Sequence, residues 1–188
     1  MNVKRVETKP LSTNTYIVND EIIIDPGIGI GKYLEEDKKY NIYLTHAHFD
    51  HIAGIEEINY EKIFIHPADV ELLKSSEKNL STFMNKEISH DGDWEDITKQ
   101  KYEVIHTPGH TPGSCVIIIE NYIFTGDTIF EDSIGRTDFP SSSQDDMIES
   151  LKKMLKYFLN APQENIIAPG HMDVVTVKEL LEKNPYLR

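Results

Sequence analysis

The sequence lacks several features that define particular classes of protein. Cys115 is its only cysteine among 188 residues, which excludes a disulfide within the chain and a cysteine-based structural zinc site. No apolar run approaches the ~20 residues of a membrane-spanning helix, and the longest lies near residues 116–119. The first ten residues also lack the apolar segment of a secretory signal. We therefore expect a cytoplasmic protein with no membrane partner.

Positive charge is also scarce. Lys and Arg number 19 against 32 Asp and Glu, so the formal net charge is −13 at pH 7. A negative field of this kind repels polyanions, so nucleic acid is not expected as a partner. The length predicts a single domain over residues 1–188, and no oligomeric state is predicted.

Apolar periodicity predicts alternating strands and helices along the chain. The helix with the clearest pattern begins after Ser143, a residue suited to cap it. Its apolar stripe comprises Met147, Ile148, Leu151, Met154, Leu155, Phe158 and Leu159. Residues 75–99 are polar and irregular, which favours a loop, and such a loop could border a substrate channel. The remaining predicted helices cover residues 31–39, 67–74 and 177–182. The predicted strands cover residues 3–8, 15–18, 22–25, 42–45, 62–65, 102–105, 114–119, 122–124 and 166–168.

The densest group of potential metal ligands follows the predicted strand 42–45. It contains His46, His48, Asp50 and His51 within six positions. Residues two apart at the end of a strand project to the same side, whereas ligands on a helix require a different spacing. The pattern therefore favours a metal site carried by a loop.

Three further ligand candidates share one local pattern, in which a strand is followed by a turn residue and then by the ligand. They are His110, Asp127 and His171. Imidazole nitrogen and carboxylate oxygen suit zinc, and also iron or manganese. Delivery of ligands from several strand ends is typical of a rigid catalytic metal site.

In chain order, the HxHxDH motif at 46–51, His110, Asp127 and His171 resemble the metallo-β-lactamase superfamily. This resemblance implies an α/β fold in the form of a four-layer αββα sandwich, with two mixed β-sheets flanked by helices. It also implies two divalent metal ions, zinc first, with iron or manganese as alternatives. The implied ligands are His46, His48 and His110 for one ion, Asp50, His51 and His171 for the second, and Asp127 as a bridge.

Within that superfamily, five segments are similar to small glyoxalase II-like hydrolases: residues 79–81, 106–114, 126–128, 135–140 and 184–187. This similarity implies a hydroxyacylglutathione hydrolase-like thioesterase with a small-molecule thioester as substrate. We expect a metal-bridging hydroxide to attack the thioester carbonyl, with Asp50 as the catalytic residue that orients it and passes on a proton. Because the sequence stops at Arg188, we expect it to lack the helical region that holds glutathione in glyoxalase II proper, so the thiol carrier stays open.

Two alternatives stand beside the thioesterase. A mononuclear iron persulfide dioxygenase shares the HxHxDH motif and a similar Gly-Arg-Thr-Asp-Phe loop, and a non-catalytic metal-binding module requires only the site. β-Lactam hydrolysis is less favoured, because lactamases resembling this family generally lack an aspartate at the position of Asp127.

Residues near the motifs also receive more ordinary interpretations. We expect His66 and His90 to be structural or on the surface, and His106 to be a buried partner of a ligand. Cys115 is expected in the core. Arg136 is expected to form an ion pair with Asp138, with binding of a substrate carboxylate as the alternative.

Overall fold

Runs rich in isoleucine and valine form the strands of the protein, as their composition predicts. The structure is a computed structural model that describes residues 1–84 and 86–188, and it comprises two compact units, Met1–Lys99 and Gln100–Arg188. Each unit contains one mixed β-sheet with its own helices and its own apolar core. Within the described residues, no helix combines the length and the apolar character needed to span a bilayer.

The sheet of the first unit begins with a meander and continues with parallel strands. The neighbours β1 to β2 and β2 to β3 are antiparallel, whereas β3 to β6 are joined in parallel pairs. Two short helices follow β4 and β5. In spatial order the strands are β1 (Val3–Thr8), β2 (Thr13–Val18), β3 (Ile22–Ile24), β4 (Tyr40–Tyr43), β5 (Tyr60–Ile65) and β6 (Glu95–Asp96), and the helices are α1 (Phe49–Ile52) and α2 (Val70–Leu73).

The sheet of the second unit has one parallel pair among antiparallel neighbours. Its strands are β7 (Glu103–His106), β8 (Cys115–Ile119), β9 (Tyr122–Gly126), β10 (Ile166–Pro169) and β11 (Val175–Thr176), in the spatial order β11-β10-β9-β8-β7. β9 and β10 are parallel, and the other neighbouring pairs are antiparallel. The helices of this unit are α3 (Gln144–Asn160) and α4 (Val177–Lys183).

The helix α3 confirms the cap and most of the apolar stripe predicted for it. The hydroxyl of Ser143 accepts a hydrogen bond from the backbone amide of Asp146 at 3.2 Å. Ile148 and Leu159 are 43% and 64% exposed, so the buried stripe is narrower than the sequence suggests. The residues of α3 that enter the second core are Met147, Leu151, Met154 and Phe158.

The helix predicted over residues 31–39 is wrong. Only one 3₁₀ turn forms there, Ile30–Tyr33, and the chain becomes extended at Leu34. Ile30 is the one buried residue of that turn, so the segment has no apolar stripe to pack against the sheet, and a short helix in water is not stable without one. The segment 75–99 is largely irregular as predicted, apart from the 3₁₀ turns Ser81–Met84 and Ile97–Lys99 and the strand β6; Asn85 lies outside the described residues.

Candidate metal centre

The HxHxDH residues lie at the end of β4 in the first unit, and we call His46, His48, Asp50 and His51 the first-unit cluster. All four are buried, with exposed fractions of 0–4%. The expectation of a loop-borne site is correct for the first two residues and wrong for the others, because Asp50 and His51 lie in α1. That single turn forms because its apolar residues, Phe49 and Ile52, are buried.

The structure brings the side chains of this cluster together. The ring centroids of His46 and His48 are 5.0 Å apart, and those of His46 and His51 are 4.1 Å apart. Nε2 of His51 lies 3.3 Å from Oδ2 of Asp50. Asp25, His46 and His51 also offer ligand atoms that lie within 4.8 Å of one another.

Asp25 is a site residue that sequence reasoning missed. Its Oδ1 accepts from the backbone amide of Thr45 at 2.8 Å, and its Oδ2 accepts from the Thr45 hydroxyl at 2.6 Å and from Nδ1 of His51 at 3.0 Å. A signal was available, since Asp25 directly follows β3, which pairs in parallel with β4. Because a carboxylate only accepts, Nδ1 of His51 donates the bond to Asp25, which leaves Nε2 as the ligand atom of the ring.

Hydrogen bonds to buried residues also fix the turn that carries His46 and His48. The Thr45 hydroxyl, which donates to Asp25, lies 3.1 Å from Nδ1 of His46 and can accept from it. The backbone amide of Ala47 donates to Oδ2 of Asp69 at 3.0 Å, and Asp69 is fully buried. Sequence reasoning missed Asp69 as well. Three buried carboxylates therefore belong to this region of the first unit, Asp25, Asp50 and Asp69.

The second unit supplies His110, Asp127 and His171, which we call the second-unit cluster. They follow β7, β9 and β10, as the sequence pattern predicts. Since β9 and β10 are parallel and β7 is antiparallel to β8, which is antiparallel to β9, all three ligands leave the same edge of the sheet. Oδ2 of Asp127 lies 3.5 Å from Nε2 of His110 and 3.5 Å from Nε2 of His171.

The loop before His110 is held by α3. The hydroxyl of Ser150 donates to the carbonyl of Pro108 at 2.7 Å. Gly109 has a φ of +141°, and a Cβ there would lie 2.6 Å from Met147, so only glycine allows this close approach. The long helix thus fixes the path of the chain that presents His110.

The loop 135–139 sets the orientation of His110. Nδ1 of His110 donates to the carbonyl of Arg136 at 2.9 Å, which leaves Nε2 as the ligand atom. The predicted ion pair is present: Arg136 binds both carboxylate oxygens of Asp138 at 2.8 Å, and this hydrogen bonding holds the pKa of Asp138 below its usual range. The Arg136 guanidinium also lies 4.5 Å from the ring centroid of Phe139, whose ring meets that of His110 edge-on.

The remaining histidines and the cysteine have mostly structural or surface positions. His106 is half-buried, not buried as expected, and its Nε2 bonds the carbonyl of Pro112 at 2.9 Å. His66 caps a 3₁₀ turn, and burial lowers the pKa of His90, which lies in the loop before β6. Cys115 is buried, as predicted.

Comparison with known proteins gives the fold a family context. The family described as the metallo-beta-lactamase superfamily matches residues 8–171 of this chain. Two similar curated proteins span nearly the same length. YqgX of Bacillus subtilis, named a probable metallo-hydrolase, is 29% identical over 100% of this chain and 98% of YqgX. The hydroxyacylglutathione hydrolase GloC of Haemophilus influenzae is 26% identical over 100% of this chain and 98% of GloC.

Two solved structures are similar over nearly their whole length. The BLEG-1 B3 metallo-β-lactamase has a TM-score of 0.84 and 29% identity, with 99% of each chain covered. TTHA1623, solved in a di-iron-bound form, has a TM-score of 0.79 and 27% identity, with 97% of this chain and 99% of that chain covered. The predicted α/β fold, with two mixed sheets and flanking helices, is confirmed.

Proposed function

This chain belongs to the metallo-β-lactamase superfamily, and on that premise we propose that it is a metal-dependent hydrolase of the glyoxalase II-like type that acts on small-molecule thioesters. The likeness to GloC supports the reaction class, since that relative is named a hydroxyacylglutathione hydrolase. The likeness to YqgX supports the broader assignment as a metallo-hydrolase.

The observation that carries the proposal is that three imidazoles are each bonded through Nδ1. His46, His51 and His110 each have an oxygen partner at Nδ1, so each presents Nε2 as a ligand atom. Buried carboxylates accompany them, and carboxylate oxygen joins imidazole nitrogen among the ordinary ligands of divalent ions. The donor set thus fits divalent ions. We assign His46, His48 and His110 to one ion, Asp50, His51 and His171 to a second, and Asp127 to a bridge between them.

We propose zinc as the metal, because imidazole nitrogen and carboxylate oxygen are its ordinary ligands outside thiolate sites. Iron is the first alternative, since the similar TTHA1623 was solved with two irons, and manganese is the second. Bound ions of this kind would polarise a carbonyl and lower the pKa of water to about 7.

The residues of the chain have defined tasks in such a reaction. Asp50 would orient the attacking water and accept its proton, then pass that proton to the sulfur as the carbon–sulfur bond breaks and the carbon–oxygen bond forms. The products are a carboxylic acid and a thiol. Because a thiolate is a good leaving group, this proton transfer is less demanding than it is for an amide.

The test measures metal content by elemental analysis and then turnover of the loaded protein on a panel of thioesters, oxygen esters and β-lactams. We expect two metal equivalents and thioester turnover that falls by about 10²–10⁴-fold in Asp50→Asn. Asp37→Asn, which changes an exposed aspartate, is the matched control and should keep full activity. Preferred turnover of β-lactams, oxygen uptake with glutathione persulfide at one iron per chain, or inertness on the whole panel would each overturn the thioesterase assignment.

A further inference from the structure

A buried threonine of the first hairpin contacts the carboxylate of Asp50. Thr13, the first residue of β2, is fully buried, and its hydroxyl donates to Oδ2 of Asp50 at 2.7 Å. The two residues are 37 positions apart in sequence. A donor at this distance from a carboxylate makes a short, charge-assisted hydrogen bond, which is about twice as strong as a bond between neutral groups.

The oxygen that receives this bond is the one nearest His51. Oδ2 of Asp50 lies 2.7 Å from the Thr13 hydroxyl and 3.3 Å from Nε2 of His51, the nitrogen that the bond to Asp25 leaves as the ligand atom. The terminal torsion of an aspartate has a broad, two-fold preference, so packing alone does not choose which oxygen faces a neighbour. A hydrogen bond to one oxygen removes that freedom.

The position of Thr13 is set by the strand ladder. Thr13 pairs with Thr8 across β1 and β2, and the Thr8 hydroxyl donates to the Thr13 carbonyl at 2.9 Å. The main-chain pairing of the two strands holds the backbone of Thr13, while its side chain reaches Asp50. The Thr8 hydroxyl bonds the Thr13 carbonyl and the Thr15 hydroxyl, so Thr8→Val removes a buried hydroxyl on the same rung and leaves the main-chain pairing in place.

From this geometry we infer that Thr13 is a positioning residue for Asp50: its hydroxyl fixes the carboxylate so that Asp50 and His51 offer their ligand atoms together. The inference rests on the proposed metal site and adds to it a residue from the first hairpin. A bond that orients a ligand in this manner contributes about 10–100-fold to metal affinity or activity.

The experiment compares Thr13→Val, Thr13→Ser and Thr8→Val with the natural chain. Valine matches the shape of threonine without its hydroxyl, and serine retains the hydroxyl. Zinc affinity is measured by competition with a chromogenic chelator, the melting temperature is measured on chelator-treated protein, and kcat and KM are measured on the best thioester.

We expect Thr13→Val to lower the affinity for the more labile zinc ion by about 10–100-fold and to lower kcat more than it changes KM. Thr13→Ser should restore most of the zinc affinity and most of kcat, and Thr8→Val should keep the natural zinc affinity.

The outcomes that overturn this inference differ from those that overturn the proposed function. If Thr13→Val lowers only the melting temperature and binds zinc as the natural chain does, Thr13 merely stabilises the hairpin. If Thr8→Val weakens zinc as strongly, the effect belongs to the hairpin as a whole. If the natural chain hydrolyses no thioester but Thr13→Val loses zinc, the proposed function is refuted and the role of Thr13 stands. If the natural chain is an active thioesterase and Thr13→Val changes neither zinc affinity nor turnover, the role of Thr13 is refuted and the proposed function stands.

Discussion

Buried carboxylates organise the first-unit cluster. Asp25 holds Thr45 and His51, and Asp69 holds the amide of Ala47, so the chain around His46 is fixed at successive positions. A ligand whose backbone is fixed does not have to be ordered when a metal binds. The preorganisation of the ligands therefore depends on residues that do not belong to the HxHxDH motif.

Replacing Asp25 by alanine should destabilise the protein strongly. The change removes the acceptor of two bonds from Thr45 and one from His51, all in a buried environment. Each buried donor left without its acceptor costs about 1–3 kcal/mol, so we expect the free energy of unfolding to fall by about 3 kcal/mol or more. Urea denaturation measures this, with Asp37→Ala at an exposed position as control. A loss below about 1 kcal/mol would contradict a structural role for these bonds.

Two kinds of element position the second-unit cluster. Strand ends deliver His110, Asp127 and His171 to one edge of the sheet, and α3 holds the loop before His110.

The helix α4 contributes Val177 and Leu180 to the apolar core of the second unit. It begins with a capping box, in which the hydroxyl of Thr176 accepts from the amide of Glu179 and the carboxylate of Glu179 accepts from the amide of Thr176.

Thr176→Ala should lower the free energy of unfolding by about 1 kcal/mol, because the variant loses the side chain that satisfies an amide at the helix N-terminus. Thermal or urea unfolding measures the change. Lys178→Ala, on the same helix, is the control and should change stability by less than about 0.5 kcal/mol. Equal losses in the two variants would show that the cap does not stabilise α4.

The same capping box predicts a pH dependence. Hydrogen bonds from the amide and hydroxyl of Thr176 lower the pKa of Glu179 below that of an unfolded chain. The unfolded state therefore takes up the proton first as pH falls, and the stabilisation by this carboxylate is present above the ordinary carboxyl range and lost below it. The difference in unfolding free energy between the natural chain and Glu179→Gln should shrink from about pH 7 to about pH 3. A difference that stays constant over this range would contradict the assignment.

At the scale of the whole molecule, each unit has a sheet and an apolar core of its own. The sequence nevertheless predicts one domain over residues 1–188. Binding of ions to the native state alone stabilises it by mass action, by about 2.7 kcal/mol at a free metal concentration of about 100 times Kd.

Calorimetry of the full chain tests the single-domain prediction. We expect one transition in which the calorimetric and van't Hoff enthalpies agree, both with chelator and with zinc. Zinc should raise the melting temperature by about 5–11 °C, which follows from that stabilisation and the usual shift for a chain of this length. Two resolved transitions would contradict the prediction of one domain, and an unchanged melting temperature with zinc would contradict the metal site.

The fold class and most elements could be predicted because they follow from local patterns. The strand that ends before His46 and the helix capped by Ser143 show their periodicity within a few residues. The predictions of secondary structure failed where the burial of a few side chains decides whether a helical turn forms. The segment 31–39 has helix-forming residues and no face to bury, and α1 is a single turn whose existence depends on the burial of Phe49 and Ile52.

The family, the fold class and the seven candidate ligands could be inferred from residue type, spacing and chain order. Which residues support those ligands depends on how the chain folds in space. Thr13, Asp25 and Asp69 have no motif of their own, and they meet Asp50, His51 and Ala47 across 37, 26 and 22 positions. The physical reason is that a hydrogen bond depends on distance in space, which strand pairing sets and sequence separation does not.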